Sequence, residues 1–273
     1  MINRKTIYNI IKHSKYSVAS QIYDWFINPE TKVNPNGKYA QSIPGVCDGC
    51  SPGIIDFSGN YELFDGMGIL AALGLLDEKI NDGVNEWFRS FTDWLLTDDE
   101  IGIAEGCASD NHGAWYDEQI LCPAIYAKRD YLARRVLRSS YASRTRLMIK
   151  PDGSQPRELL RTNPIGYSFY ALDALVKIAS IAQRLGYDEY WGVDEFRGHC
   201  IIRQALEYLY PYVKDPDSFP YPDLNKGKHS PKMIKMLYIL DKHFPNEGYA
   251  ERARELGDSE DTATEIWRLE PIM

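Results

Sequence analysis

The segment Asp110–Gln119, DNHGAWYDEQ, crowds a histidine, two amides and two aromatic residues into one short stretch. With a helix beginning near His112, the side chains of His112, Trp115, Tyr116 and Gln119 fall at i, i+3, i+4 and i+7 and share one face. Such a face is too polar for ordinary core and too aromatic for ordinary surface, which marks it as an active-site segment. An imidazole titrates near neutrality, so His112 is the natural proton carrier. The plainer alternative is a half-buried helix whose polar tips find partners. Asp110 and Asp117 offer two carboxylates, but glycoside hydrolysis needs a pair that confronts a sugar ring from two sides. Residues seven apart on one helix point along the same face instead. Cys47 and Cys50 form a C-x-x-C with neither a second such pair nor a histidine pair nearby, short of the four ligands of a structural zinc site. No metal and no cofactor are assigned, and no spacing selects a disulfide partner for Cys47 or Cys50.

At 273 residues the chain is within reach of one large helical domain, and 26% charged with 44% apolar residues is an ordinary globular composition. It offers no run of the roughly 18 apolar residues that spans a membrane. A net charge of -8 argues against nucleic-acid and membrane partners, which demand a basic surface. The average hides an asymmetry, because Lys128 to Arg161 holds ten Lys or Arg against three acids. That stretch either faces an anionic ligand or is a solvated helix face balanced by acid elsewhere. Nineteen tyrosines and six tryptophans suit a cleft that grips sugar rings, and they suit core packing equally. The N-terminus, MINRKTIYNIIKHSKYS, lacks the apolar core of a secretory signal.

The elements that must position the segment read as helices. Apolar spacing predicts them over 4–27, Asn60–Leu76, Val84–Leu96, Tyr131–Ile149 (basic and amphipathic), Ser168–Leu185, Asp194–Val213, Met233–His243, Gly248–Leu256 and Thr262–Leu269. Residues 28–53 are rich in Pro, Gly and Asn and form a long loop, whose Tyr39, Gln41 and Cys47 favour an ordered, ligand-facing structure. No period-two alternation runs through these segments, so the expected class is all-α, built of antiparallel helical hairpins in a single domain over 1–273.

Seven pieces taken together resemble the alginate-lyase superfamily of polysaccharide lyases. They are NPETKVNPNGKYAQSIPG (28–45), CDG (47–49), GIID (53–56), DNHGAWYDEQ (110–119), PDGSQPRELLRT (151–162), YS (167–168) and FPYP (219–222), in the family's order. The resemblance implies an incomplete (α/α) toroid and β-elimination on a uronate polymer, an anionic polysaccharide partner. It implies that Asn111 helps neutralise the substrate carboxylate and that His112 is the base or shares in neutralisation. Arg161 would bind the carboxylate or position Tyr167, and Tyr167 would donate a proton to the leaving oxygen. Tyr39, Gln41, Trp115 and Tyr116 would line the cleft, with Gln119 in its wall or support. Three departures stand out. Asp110 replaces the first residue of the family's Asn-Asn-His-Gly, and Gly166 stands where close relatives often carry His. The chain also starts where related proteins are already under way, so an N-terminal part is expected to be missing. Family members are usually secreted or periplasmic, which is the compartment the resemblance implies.

The chemistry can be reasoned from the residues as well. Elimination removes the weakly acidic C5 proton beside a carboxylate, so that carboxylate must be neutralised first. Arginine does this with a bidentate, charge-assisted pair, and preorganised donors lower the energy of the growing enediolate by about 3–4 kcal/mol each. His112 can take the C5 proton and Tyr167 can protonate the glycosidic oxygen; with both atoms on one face of the sugar, Tyr167 could serve both steps. A non-catalytic polyuronate-binding remnant of such an enzyme is the alternative from another class.

Overall fold

A computed structural model describes residues 18–74 and 76–257. Among them every regular element is helical, and the bridge between Ile43 and Cys47 is isolated. The all-α class is therefore the observed one. The described chain divides into two compact units, one of residues 18–106 with Gln119–Ala133, the other of Cys107–Glu118 with residues 134–257. The first part of the expected helix over 4–27 and the expected helix at Thr262–Leu269 lie outside the described residues.

In the first unit, residues 18–26 are helical and lead into the long loop. Helix α1 (Asn60–Ala72) and helix α2 (Glu78–Thr97) follow. Helix α2 starts ahead of its apolar stripe because the Asp77 carboxylate accepts the Lys79 N–H at 2.9 Å, satisfying one of the open donors of the first turn. The stripe buries Trp87, Phe88, Phe91 and Leu95. Phe26 meets Trp87 edge-on at 5.0 Å and Phe64 meets Phe88 at 4.8 Å, the geometry in which ring edges face ring faces. The Trp87 indole N–H donates to the Val33 carbonyl at 2.7 Å, tying the proline-rich loop to this aromatic core.

Helix α3 (Asn111–Tyr126) contributes its first turns to the second unit and the remainder to the first. Pro123 lies inside it and has no N–H to give the Gln119 carbonyl one turn earlier. The Asn60 side-chain amide donates to that carbonyl instead, at 3.4 Å.

Helix α4 (Asp130–Ser140) is shorter than the expected Tyr131–Ile149. The chain widens into a π turn over Tyr141–Thr145 before a last helical turn at Arg146–Met148. Tertiary partners explain the widening: the Tyr141 hydroxyl and Arg146 Nε both donate to Asp194 Oδ2, at 2.9 and 2.6 Å, and Arg144 pairs with Asp117. The helix expected from Asp194 accordingly begins at Ile201, since the Asp194 carboxylate accepts the Phe196 and Arg197 N–H groups and closes a turn. Arg144 and Arg146 of the basic stretch are thus balanced by acid elsewhere in the fold. Helix α5 (Pro164–Arg184) is the core of the second unit; it is long and apolar enough to cross a membrane, yet 78% of its apolar window is buried in the protein. Helices α6 (Ile201–Lys214), α7 (Ser230–His243) and α8 (Tyr249–Glu255) complete the unit.

Candidate active site

The second unit gathers four of the sequence-selected residues from two helix starts. Helix α3 opens with Asn111 and His112, and the Asp110 carboxylate accepts the His112 N–H at 3.1 Å. Asp110 therefore caps the helix, a job in which Asp and Asn are equivalent, and this gives the departure at Asp110 a structural reason. Gly113 is required by close approach: a Cβ there would lie 2.1 Å from the Ala108 carbonyl oxygen and 2.6 Å from Arg144 Nη1. Arg144 clamps this corner. Its Nη1 donates to Ala108 O at 2.6 Å while Nε and Nη2 grip the Asp117 carboxylate at 2.9 and 3.2 Å. Burial pushes the Asp117 carboxyl up and Arg144 pulls it back down. Held in this way, Asp117 is a structural ion-pair partner and not half of a hydrolytic pair.

The other half comes from the turn before α5. Pro156–Leu159 is a short helical turn, followed by Arg161 and by Asn163, whose Oδ1 accepts the Gly166 N–H at 3.2 Å and caps α5. A Cβ on Gly166 would lie 2.2 Å from Asn163 Nδ2. A side chain at position 166 would therefore collide with the Asn163 cap. Leu224 N–H donates to Thr162 O at 3.1 Å, which ties the chain just beyond the FPYP segment to the residue after Arg161.

Glu158, which sequence reasoning missed, joins the two halves. It is 1% exposed, and its Oε1 accepts the Asn111 backbone N–H at 2.7 Å while Oε2 accepts Asn111 Nδ2–H at 2.9 Å. Burial pushes the Glu158 carboxyl above the usual range, opposed by the two Asn111 hydrogen bonds; the Asp110 charge adds to the rise and the Arg161 charge lowers it. The Arg161 guanidinium carbon stands 4.0 Å from the centre of the Tyr167 ring, a cation–π contact. Asn111, Glu158, Arg161 and Tyr167 thus form one connected set, with His112 adjoining Asn111. His112, Arg161 and Tyr167 are half-buried, whereas Asn111 is 0% exposed. The direct substrate contact expected of Asn111 is not offered by this arrangement, because its amide is enclosed and one hydrogen is given to Glu158. The only available signal for Glu158 was its place three residues before Arg161.

The expected cleft residues divide differently. Trp115 is 2% exposed and packs against Tyr170 at 4.9 Å with the Lys177 ammonium 4.9 Å from its ring centre. Tyr116 is buried, and burial, then the Asp117 charge, pushes its phenol up to about 12. Gln119 is 0% exposed. These three are supports inside the fold and not a lining surface, since helical spacing gives a shared face but not what covers it. In the first unit, Tyr39 is 72% exposed at the edge of a cavity of about 730 Å³ shared with Trp25, Phe26, Asp56 and Asn60. Gln41 is exposed in a left-handed conformation (φ 52°), its amide 3.5 Å from the Asp56 carboxylate. Cys47 and Cys50 are free thiols, and among the described residues no group of three or more His, Cys, Asp or Glu is arranged to hold a metal ion.

Three comparisons with known proteins bear on this arrangement. A family model described as alginate lyase matches residues 6–219. The crystal structure of an alginate lyase from Bacteroides ovatus superposes with a TM-score of 0.82 at 29% sequence identity, covering 96% of this chain and 68% of that one. A search of curated proteins returned no match.

Proposed function

Because this chain belongs to the alginate lyase family, we propose that it cleaves a 4-linked uronate polymer, alginate (mannuronan) or glucuronan, by β-elimination. Family and fold make it a polysaccharide lyase acting on an anionic polysaccharide. The observation that carries the finer reading is the Arg161–Tyr167 contact at 4.0 Å, which sets a guanidinium able to bind a carboxylate against a phenol able to donate a proton.

Arg161 pairs with the uronate carboxylate through two parallel N–H donors and so stabilises the charge that develops as C5 loses its proton. His112 accepts that proton. The C5–H electron pair forms the C4=C5 double bond, the C4–O bond breaks, and Tyr167 gives its phenolic proton to the departing glycosidic oxygen. The products are an unsaturated uronate end and a free hydroxyl on the released chain. Where the C5 proton and the leaving oxygen share a face, Tyr167 serves both steps. Asn111 enters as the residue that keeps Glu158 beside Arg161, and Tyr39 and Gln41 are assigned as substrate contacts offered by the first unit.

Substitution tests the assignment. Tyr167→Phe and His112→Ala should each lower turnover of the preferred polymer by about 10²-fold or more, the usual size of a lost proton-transfer group, with an unchanged circular dichroism spectrum. Full rate in both variants would remove these residues from the mechanism. Uronate binding without turnover in the unaltered protein would favour the non-catalytic reading.

A further inference from the structure

We propose that the second unit holds an additional subsite for one uronate residue, in the cavity between α5 and α7 lined by Tyr170, Asp173, Lys232 and Lys235. This rests on the lyase reading, because it places a sugar of the same polymer beyond the one being cleaved. The cavity measures about 330 Å³ and is also bounded by Phe169, Pro231 and Met236. That is the small end of ligand cavities, which run from about 300 to 1,000 Å³, and suits a single sugar ring better than an extended chain.

Its position follows from helix geometry. Tyr167 and Tyr170 are three residues apart on α5, so Tyr170 stands about 4.5 Å further along the axis and on a neighbouring face. The cavity thus begins within one helical turn of the proton donor. Its chemistry matches a uronate. Tyr170 is half-buried and supplies an aromatic wall for the apolar face of a sugar. The charged lining comprises two lysines against one carboxylate. Asp173 is already engaged by ammonium groups on both its oxygens, Lys235 at 2.5 Å and Lys177 at 3.6 Å. Lys232 lies one turn before Lys235 on α7, is exposed, and makes no ion pair among the described residues. An entering carboxylate would meet Lys232 with Lys235 behind it, while Asp173 holds Lys235 in place. A neutral sugar would gain hydrogen bonds from the lysines without the charge pairing.

The test uses the full chain and saturated oligouronates of increasing length. Lys232 is on the surface, so Lys232→Ala and Lys232→Glu leave the core intact. Lys232→Ala should raise KM roughly two- to five-fold, the fold-change for one partly exposed ion pair, with kcat within about 1.5-fold. Lys232→Glu should raise it further, Lys232→Arg should restore it, and added salt should narrow all these differences. Dissociation constants for an oligouronate and for its carboxyl-reduced counterpart are measured alongside. Should the unaltered protein cleave nothing, Lys232-dependent preference for the charged oligomer would still support the subsite while the reaction assignment fails. Normal cleavage with KM and binding unchanged in Lys232→Ala and Lys232→Glu would overturn the subsite and leave the reaction assignment standing.

Discussion

Replacing Glu158 is the sharpest perturbation of the connected set. Its carboxylate takes two hydrogen bonds from Asn111 in a site that is 1% exposed. Glu158→Ala leaves two buried donors without an acceptor, each costing about 1–3 kcal/mol, so the loss is on the order of 2–6 kcal/mol. Glu158→Gln keeps the shape but sets an amide NH₂ against Asn111 Nδ2. The conflict is relieved when the Asn111 amide turns over and presents Oδ1 to the new donor, and exchanging charged for neutral hydrogen bonds costs about 1–2 kcal/mol. Urea denaturation of both variants, of Asn111→Ala and of Asn111→Ala with Glu158→Gln measures the coupling directly. Strong non-additivity is expected. The pH dependence carries a sign: burial raises the folded-state pKa of Glu158, so its contribution is present below the ordinary glutamate range and is lost as pH rises through the raised value. Glu158→Gln should flatten that part of the stability profile. Stability of Glu158→Ala within about 0.5 kcal/mol of the unaltered protein, the range of ordinary surface changes, or additive effects in the cycle, would refute the assigned role.

Three further outcomes follow from the same geometry. Gly113→Ala drives a Cβ to 2.1 Å from the Ala108 carbonyl and should cost about 1–3 kcal/mol, read as a lowered urea midpoint. Arg144→Met leaves the buried Asp117 carboxylate without its bidentate partner and should cost about 3–5 kcal/mol, an effect that Asp117→Asn made in the same chain should partly reverse. His243 is stacked on Trp191 at 3.8 Å, and burial, with the Lys242 charge, lowers its pKa from 6.5 to about 4. Stability should therefore hold above pH 6.5 and fall as pH drops through about 4, by on the order of 1–2 kcal/mol after allowance for solvent screening; thermal melts of His243→Phe should lack that component.

The elements were legible where apolar spacing was decisive. Trp87, Phe88, Phe91 and Leu95 announce α2, although its first turn depends on the Asp77 cap and not on the stripe. The π turn at Tyr141–Thr145 was not legible, because neither Pro nor Gly marks it and its cause is Asp194, Asp117 and their arginines brought together by the fold. Asp194 belonged to an expected helix for the same reason: a carboxylate that turns the chain and one that decorates a helix look alike in sequence. The site proposed for the chemistry was legible as family motifs, with His112 in the first turn of α3 and Arg161 and Tyr167 on either side of the start of α5. Its bracing was not. Glu158 reads as one acid in a polar turn, and only burial against Asn111 separates it from a surface carboxylate. Trp115, Tyr116 and Gln119 show the converse, because a shared helical face does not say whether solvent or core lies opposite.

The most direct test of the central claim is near-ultraviolet absorbance during incubation of the purified chain with mannuronan-rich alginate and with glucuronan. β-Elimination creates one conjugated C4=C5 bond per cleavage, so absorbance should rise steadily with at least one polymer and stay flat with its carboxyl-reduced form. Folded protein that produces no absorbance with either polymer, or new reducing ends without absorbance, would contradict elimination on a uronate.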